Sequence, residues 1–242
     1  MWYLSGTAAE FSSPLWNAVV PFGEPWQGLM VKQCLGMPLL HSPSLLRANV
    51  AELLLPATPL SEVYVRGSDL VATYVPSPAR PVRLQIYWRA LDAKDAVEPD
   101  TSIRAAGVEL IVSAQTDLLD VLPKITVGST LPSGEWLRWD AERQTFVAAG
   151  AAQTSTSLFL FRPAGSSFSY LEMVHPSDYA GAAFIDTTAG WELMWTLFPD
   201  HLEKGVIRRS RLRGLFIPRE GDTATAISAY RCFETAPPPL TT

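Results

Sequence analysis

Val82-Arg83-Leu84-Gln85-Ile86-Tyr87-Trp88-Arg89 alternates apolar and polar side chains along its length. Successive side chains of an extended strand point to opposite faces. Val82, Leu84, Ile86 and Trp88 therefore share one face, and Arg83, Gln85, Tyr87 and Arg89 the other. The first set reads as core, the second as a wetted sheet surface open to a ligand.

The same grammar recurs on both sides of this stretch. Short runs rich in Val, Ile, Tyr and Trp, bounded by turn residues, lie at 51–55, 62–65, 70–75, 83–90, 109–114 and 125–127. Others follow at 135–139, 157–162, 169–175, 182–186, 192–197, 206–218 and 226–233. Twenty prolines and fifteen glycines interrupt the chain too often for long helices. Many short, evenly punctuated strands predict an all-β fold, a large antiparallel β-sandwich. Only short helical turns are expected. One is at 43–49, a stretch that equally leads into the next strand, and one at 117–122, with Asp117 as N-cap and Pro123 as its stop. No repeat of fixed period is present. The Ala148-Ala149-Gly150 run within 141–157 reads as a loop, so residues 1–235 form a single domain in this reading. Ala236-Pro237-Pro238-Pro239-Leu240-Thr241-Thr242 follows as an extended tail.

The 242 residues are enough to bury a sizeable core, and 48% hydrophobic with 18% charged residues belongs to globular proteins. A net charge of -5 argues against nucleic-acid and membrane-surface binding by the molecule as a whole. Two cysteines, Cys34 and Cys232, are too few for a disulfide framework. The opening Met1-Trp2-Tyr3-Leu4-Ser5-Gly6 lacks the basic and apolar regions of a secretory signal, and no long apolar window suggests a membrane span. The expected location is cytoplasmic.

Candidate chemistry concentrates in Ser169-Tyr170-Leu171-Glu172-Met173-Val174-His175-Pro176-Ser177-Asp178. It sets Glu172, His175 and Asp178 within seven residues of a chain that has three histidines. That scarcity argues against a three-histidine zinc site, the spacing does not demand a mixed His/carboxylate site for a harder metal, and no metal or cofactor is expected. Strand parity puts Glu172 and His175 on opposite faces unless a bulge intervenes. Pro176-Ser177 favours a turn that folds Asp178 back on the imidazole. His175 with Asp178 is then either a general acid–base pair, with Glu172 beside it, or a strand-end histidine capping a turn.

Two further features bear on binding. In Ile207-Arg208-Arg209-Ser210-Arg211-Leu212-Arg213, the guanidiniums of Arg209, Arg211 and Arg213 fall on one face. They repel one another unless carboxylates or an anionic ligand lie opposite. Sheet-face nucleic-acid binding would need interleaved aromatics, which this strand lacks. Trp136 and Trp139 sit on opposite faces of Gly134-Glu135-Trp136-Leu137-Arg138-Trp139-Asp140, and Trp26 lies in a Gly- and Pro-flanked loop. Indoles pack on the C–H faces of sugar rings while acids and guanidiniums take the hydroxyls. Trp88 and Trp195 read as core. Walker, dinucleotide and nucleophile-elbow motifs are absent.

In architecture, this large sandwich with loop tryptophans and a His/Glu/Asp cluster resembles those of sugar-handling proteins. They include the aldose-epimerase-like supersandwich, in which a His and a Glu exchange protons with a sugar. The resemblance extends to no motif, so no catalytic position is carried over. The expected function is binding of a carbohydrate or related polar small molecule. The alternatives are a sugar-modifying enzyme using His175, and an assembly protein whose aromatics and arginine strand face a protein partner.

Overall fold

A computed structural model describes residues 1–39, 43–50, 60–78, 81–92, 96, 104–150, 153–187, 190–198 and 200–237. The N-terminal strands are β1 (Trp2–Ser5), β2 (Ala8–Ser12), β3 (Trp16–Val20), β4 (Leu29–Cys34), β5 (Met37–Pro38) and β6 (Ser44–Val50). Then come β7 (Leu60–Arg66), β8 (Asp69–Tyr74), β9 (Arg83–Asp92), β10 (Ala106–Gln115), β11 (Asp120–Val121) and β12 (Ile125–Leu131). They are followed by β13 (Gly134–Asp140), β14 (Thr145–Ala148), β15 (Gln153–Thr154), β16 (Leu158–Pro163) and β17 (Phe168–Val174). The last strands are β18 (Tyr179–Thr187), β19 (Gly190–Leu197), β20 (Leu202–Glu203) and β21 (Ile207–Pro218), before a helix, α1 (Asp222–Glu234).

Two antiparallel sheets face each other. The first runs β1-β2-β3-β4-β6-β12-β19-β18-β15, with β5 paired to β4, and the second runs β14-β13-β16-β17-β21-β10-β9-β8-β7. The protein is an all-β sandwich, as its alternating runs predict. Leu84, Ile86 and Trp88 of the decisive stretch point between the sheets, where they join Leu110, Val112, Phe159, Phe161 and Trp195. Among the described residues, no helix is long and apolar enough to cross a membrane.

A second, smaller core lies outside the second sheet. Leu158, Leu160, Leu171, Met173, Leu215 and Ile217 turn away from the sandwich and pack beneath Ala226, Ala229 and Phe233 of α1. Every residue of β17 is therefore buried, Phe168, Tyr170, Glu172 and Val174 on the inner face and Ser169, Leu171 and Met173 on the outer. A strand covered on both faces loses simple alternation.

The helix corrects the expectation of a strand at 226–233. Ala226, Ala229 and Phe233 stand three and four residues apart, a helical stripe. The small side chains of the two alanines let α1 lie close to the sheet. Asp222 anchors its first turn by accepting two hydrogen bonds from Arg162, at 2.8 and 2.9 Å, and one from Ser169 at 2.6 Å. The expected helical turn at 43–49 is instead strand β6, in keeping with the other reading of that stretch. The turn expected at 117–122 is not helical either. Thr116, not Asp117, caps its start by accepting the Leu118 N–H, and Asp120–Val121 pairs with Leu202–Glu203 as a two-residue ribbon. Strands β1 to β4, in the Gly- and Pro-dense N-terminal segment, were not marked by alternation. The strand expected at 51–55 lies outside the described residues.

Cys34 is buried, and burial pushes its thiol up to about 12. It is not joined to Cys232, which sits on α1.

Gly214 permits a close approach of Tyr170 within the second sheet. A Cβ there would lie 2.5 Å from the Tyr170 hydroxyl oxygen and 3.1 Å from its ring. Gly214→Ala is expected to displace Tyr170 and lower stability in denaturant unfolding by about 1–3 kcal/mol, the range for overpacked cores. Gly150→Ala, with nothing within 4 Å, is the control and should leave the midpoint unchanged.

Candidate functional site

The structure separates the three residues of the His/Glu/Asp cluster into two environments. Glu172 points between the sheets and is fully buried. One carboxyl oxygen accepts from the Tyr170 hydroxyl at 2.7 Å, and the other from the Trp195 Nε1 at 2.7 Å. Burial raises the pKa of Glu172 above the usual carboxylate range; hydrogen bonds from Ser129, Tyr170 and Trp195 and the charge of Arg47 work in the opposite direction. Ser129 also accepts the Leu46 N–H at 2.9 Å. The Glu172 carboxyl thus joins β17 of one sheet to β12 and β19 of the other. No bulge brings it to His175.

His175 and Asp178 do meet, in the manner Pro176 favours. Strand β17 stops at Val174 and Pro176–Asp178 forms one 3-10 turn. The Nδ1 of His175 accepts the Ser177 N–H at 3.3 Å and lies 2.9 Å from the Ser177 hydroxyl, while its distance to the Asp178 carboxylate is 4.0 Å. With Nδ1 accepting, Nε2 carries the proton and donates it to the Glu234 carbonyl at 3.1 Å. Asp178 accepts from the Arg211 backbone N–H and Nε, at 3.1 and 3.2 Å. Arg211 in turn donates to the Ala236 and Pro237 carbonyls, at 3.3 and 3.1 Å. The cluster ties the ends of β17 and α1 to β21, and both imidazole nitrogens are occupied. Burial and the nearby Arg211 charge lower the His175 pKa, against the opposing pull of Asp178 and Glu234.

The arginine strand divides likewise. Arg213 donates to Glu109 at 2.6 Å, Glu109 accepts from Arg89 at 3.5 Å, and Arg89 holds Asp69 through two bonds of 2.8 and 3.1 Å. Arg66 lies 3.8 Å from Asp69, so charges of alternating sign cross five strands from β7 to β21. The Arg213 guanidinium also stacks over Phe233, 4.5 Å from the ring centre. The carboxylates of Asp178 and Glu109 lie against Arg211 and Arg213. Arg209 is exposed beside Ser113.

The tryptophans fall at three depths. Trp136 is buried between the sheets, its ring centre 4.9 Å from that of Phe161. Trp26 is half-buried on the short turn Pro25–Gln27, whose nearest strand is β6 of the first sheet. Trp139, on the opposite face of β13 from Trp136, is half-buried and packs edge-on against Phe146. It forms part of a cleft of about 670 Å³ between the β13–β14 hairpin and α1. Arg138 and Asp140 flank Trp139 along the chain, on the other face of β13 by strand parity, and Tyr230, Arg231 and Glu234 of α1 line the cleft opposite Trp139. The Tyr230 hydroxyl lies 2.5 Å from that of Ser157. Tyr230 does not stand out as a site residue in the sequence because 226–233 reads as a strand, and Glu234 lies just beyond that stretch. The Ala226, Ala229, Phe233 spacing was the signal that places them on a helix.

Among the described residues, no group of three or more His, Cys, Asp or Glu side chains has metal-binding geometry. No protein-family model and no curated protein matches this chain.

The His175 cluster makes a pH prediction with a definite sign. A histidine whose folded pKa lies below its ordinary 6.5 adds stability that is present above 6.5 and is lost as pH falls through the lower folded value. Unfolding measured between pH 7 and pH 5 should therefore show a fall in stability that His175→Gln reduces. An unchanged pH slope in the variant would show that the imidazole stays in the same balance folded and unfolded.

Proposed function

We propose that the protein binds a carbohydrate, or a polar small molecule of similar build, in the cleft between the β13–β14 hairpin and α1. The observation that carries this reading is the position of Trp139 in the cleft wall, with Tyr230, Arg231 and Glu234 of α1 opposite. An indole with guanidinium, carboxylate and hydroxyl groups around it matches what a sugar ring offers, an apolar face edged with hydroxyls. The cleft volume of about 670 Å³ suits one or a few sugar units.

Binding rather than turnover is favoured by the state of the one histidine in the candidate cluster. His175 donates to the Glu234 carbonyl and accepts from Ser177, which leaves no ring nitrogen for a substrate proton. The other expected ligand groups are also committed to the fold, Arg211 to Asp178 and Arg213 to Glu109.

A glycan array followed by tryptophan-fluorescence titration tests the reading. Retention of one sugar class is expected, with Trp139→Ala weakening it about ten- to a hundredfold, as for loss of a buried aromatic anchor. His175→Gln should bind as well as the parent. If no sugar is retained and fluorescence does not respond, the carbohydrate reading fails.

A further inference from the structure

Among the described residues, four strands end the two large sheets: β1, β7, β14 and β15. The longest is β7, whose seven residues Leu60-Ser61-Glu62-Val63-Tyr64-Val65-Arg66 pair with β8 on one side and with no described strand on the other. Natural sheets protect such an edge with Lys, Pro, bulges or very short strands. Strand β7 contains neither Lys nor Pro, and its one register shift lies at Ser61, outside Glu62–Arg66. Which backbone groups are free follows from the hairpin. Arg66 and Asp69 close a two-residue turn in which Gly67 has the positive φ, 59°, that such turns take. The closing pair exchanges both N–H···O bonds, and bonded and non-bonded pairs alternate from there. Arg66, Tyr64 and Glu62 therefore direct their backbone groups to β8, whereas Val63 and Val65 turn theirs to the open side.

The side chains of this edge are complementary to those of a second β7. An antiparallel pair that joins the free groups of Val63 and Val65 can be centred on Val63, Tyr64 or Val65. Only the centre at Tyr64 sets Glu62 opposite the partner's Arg66. In that register Val63 meets the partner's Val65 with backbone bonds in both directions, and Tyr64 meets its own copy. Val63 and Val65 pack against the main core, so Glu62, Tyr64 and Arg66 share the outer face, and each cross-strand pair joins like with like or plus with minus. Glu62 is exposed and makes no ion pair among the described residues. Arg66 is exposed and 3.8 Å from Asp69, which Arg89 already holds at 2.8 Å, so it is available to the partner's Glu62. Strand β1 lies beside β7, Trp2 donating to the Ser68 carbonyl at 2.9 Å, and adds exposed Tyr3 and Leu4 next to the edge.

From this complementarity we infer that two copies of the chain associate through β7, paired antiparallel about a two-fold axis at Tyr64, so that their second sheets join into one. Backbone, charge and aromatic contacts all select the same register, and a two-fold axis makes each of them twice. The inference is independent of the ligand cleft, which lies at the opposite edge of the second sheet.

Sedimentation equilibrium of the full chain tests it. The parent is expected at twice the chain mass at about 100 μM, where even a micromolar Kd leaves mostly dimer. Glu62→Arg should weaken association about tenfold or more, because two attractions become two repulsions. Combining Glu62→Arg with Arg66→Glu should restore it. Tyr64→Cys should give a disulfide-linked dimer on mild oxidation, since residues at the axis form a non-hydrogen-bonded pair with Cα atoms about 4.5 Å apart, within disulfide reach. The parent, with Cys34 and Cys232, is the control for that cross-link. Near-UV circular dichroism should confirm an unchanged fold in each variant. A parent that stays monomeric overturns the inference. So does a dimer that Glu62→Arg leaves intact, that the double reversal fails to restore, or that Tyr64→Cys fails to cross-link, since the copies would then meet through another surface or register.

Discussion

The carboxyl group of Glu172 sits where a sandwich ordinarily has only hydrocarbon, and much of the interior is arranged around it. Burying a carboxyl without partners costs several kcal/mol, roughly the whole stability margin of a domain. Trp195 and Tyr170 each supply a hydrogen bond of 2.7 Å, and Ser129 a third. These donors come from both sheets, so satisfying one acid fixes how the sheets register against each other. Gly214 belongs to the same constraint. It stands directly opposite Glu172 in the ladder between β17 and β21, and its missing side chain leaves the space that the Tyr170 phenol occupies. A hydrophobic contact tolerates sliding by an ångström, whereas a buried hydrogen-bonded acid does not.

Strand β17 extends this constraint outward. Its inner face carries the acid and its outer face carries Leu171 and Met173, over which α1 lies. The helix is then held at both ends by charge. Asp222 at its first turn meets Arg162 of β16, where a carboxylate also suits the positive end of the helix dipole. At the other end, Arg211 and His175 take the carbonyls of Glu234, Ala236 and Pro237. Cations and N–H donors suit the carbonyl end of a helix for the same electrostatic reason. Burial pushes the pKa of Asp222 up, but the hydrogen bonds from Arg162 and Ser169 outweigh it and hold the group below the usual carboxylate range. The carboxylate therefore keeps its charge at the helix start well into mild acid.

How much of this the sequence reveals depends on how many faces of each strand are buried. Over Arg83–Arg89, β9 alternates between a core face and a largely polar one, so its orientation follows directly, although Tyr87 on the second face is itself buried against Val71 and Ile111. Parity also separates Glu172 from His175, and Pro176 brings Asp178 to the imidazole, as the structure shows. What parity does not disclose is the purpose of the outer face. Arg211 and Arg213 share a face in the sequence, but their counter-charges, Asp178 and Glu109, lie 33 and 104 residues away. Pairing over such separations is set by sheet order, to which local pattern is blind. The helix was missed for a local reason: Ile227, Tyr230 and Phe233 suit a strand by composition, and only the spacing of the small alanines betrays the helical stripe.

These commitments determine where binding chemistry remains available. Every acid or base that braces the interior is removed from the pool that can meet a ligand: Glu172 by the inter-sheet donors, His175 by the helix end, Arg213 and Glu109 by each other. Some of the groups left exposed lie where the chain leaves the sandwich. One set lines the cleft where the β13–β14 hairpin stands away from α1. Glu62 and Arg66 stand at a second margin, the β7 edge of the second sheet. Both places are rigid on one side, being rooted in strands buried beneath, and open on the other. A braced wall presents its aromatic and charged groups in one arrangement and so costs little ordering entropy on binding. The polar interior and the sites at its edge are in this sense one design, since the same pairings that immobilise the sheets decide which charges remain for a partner.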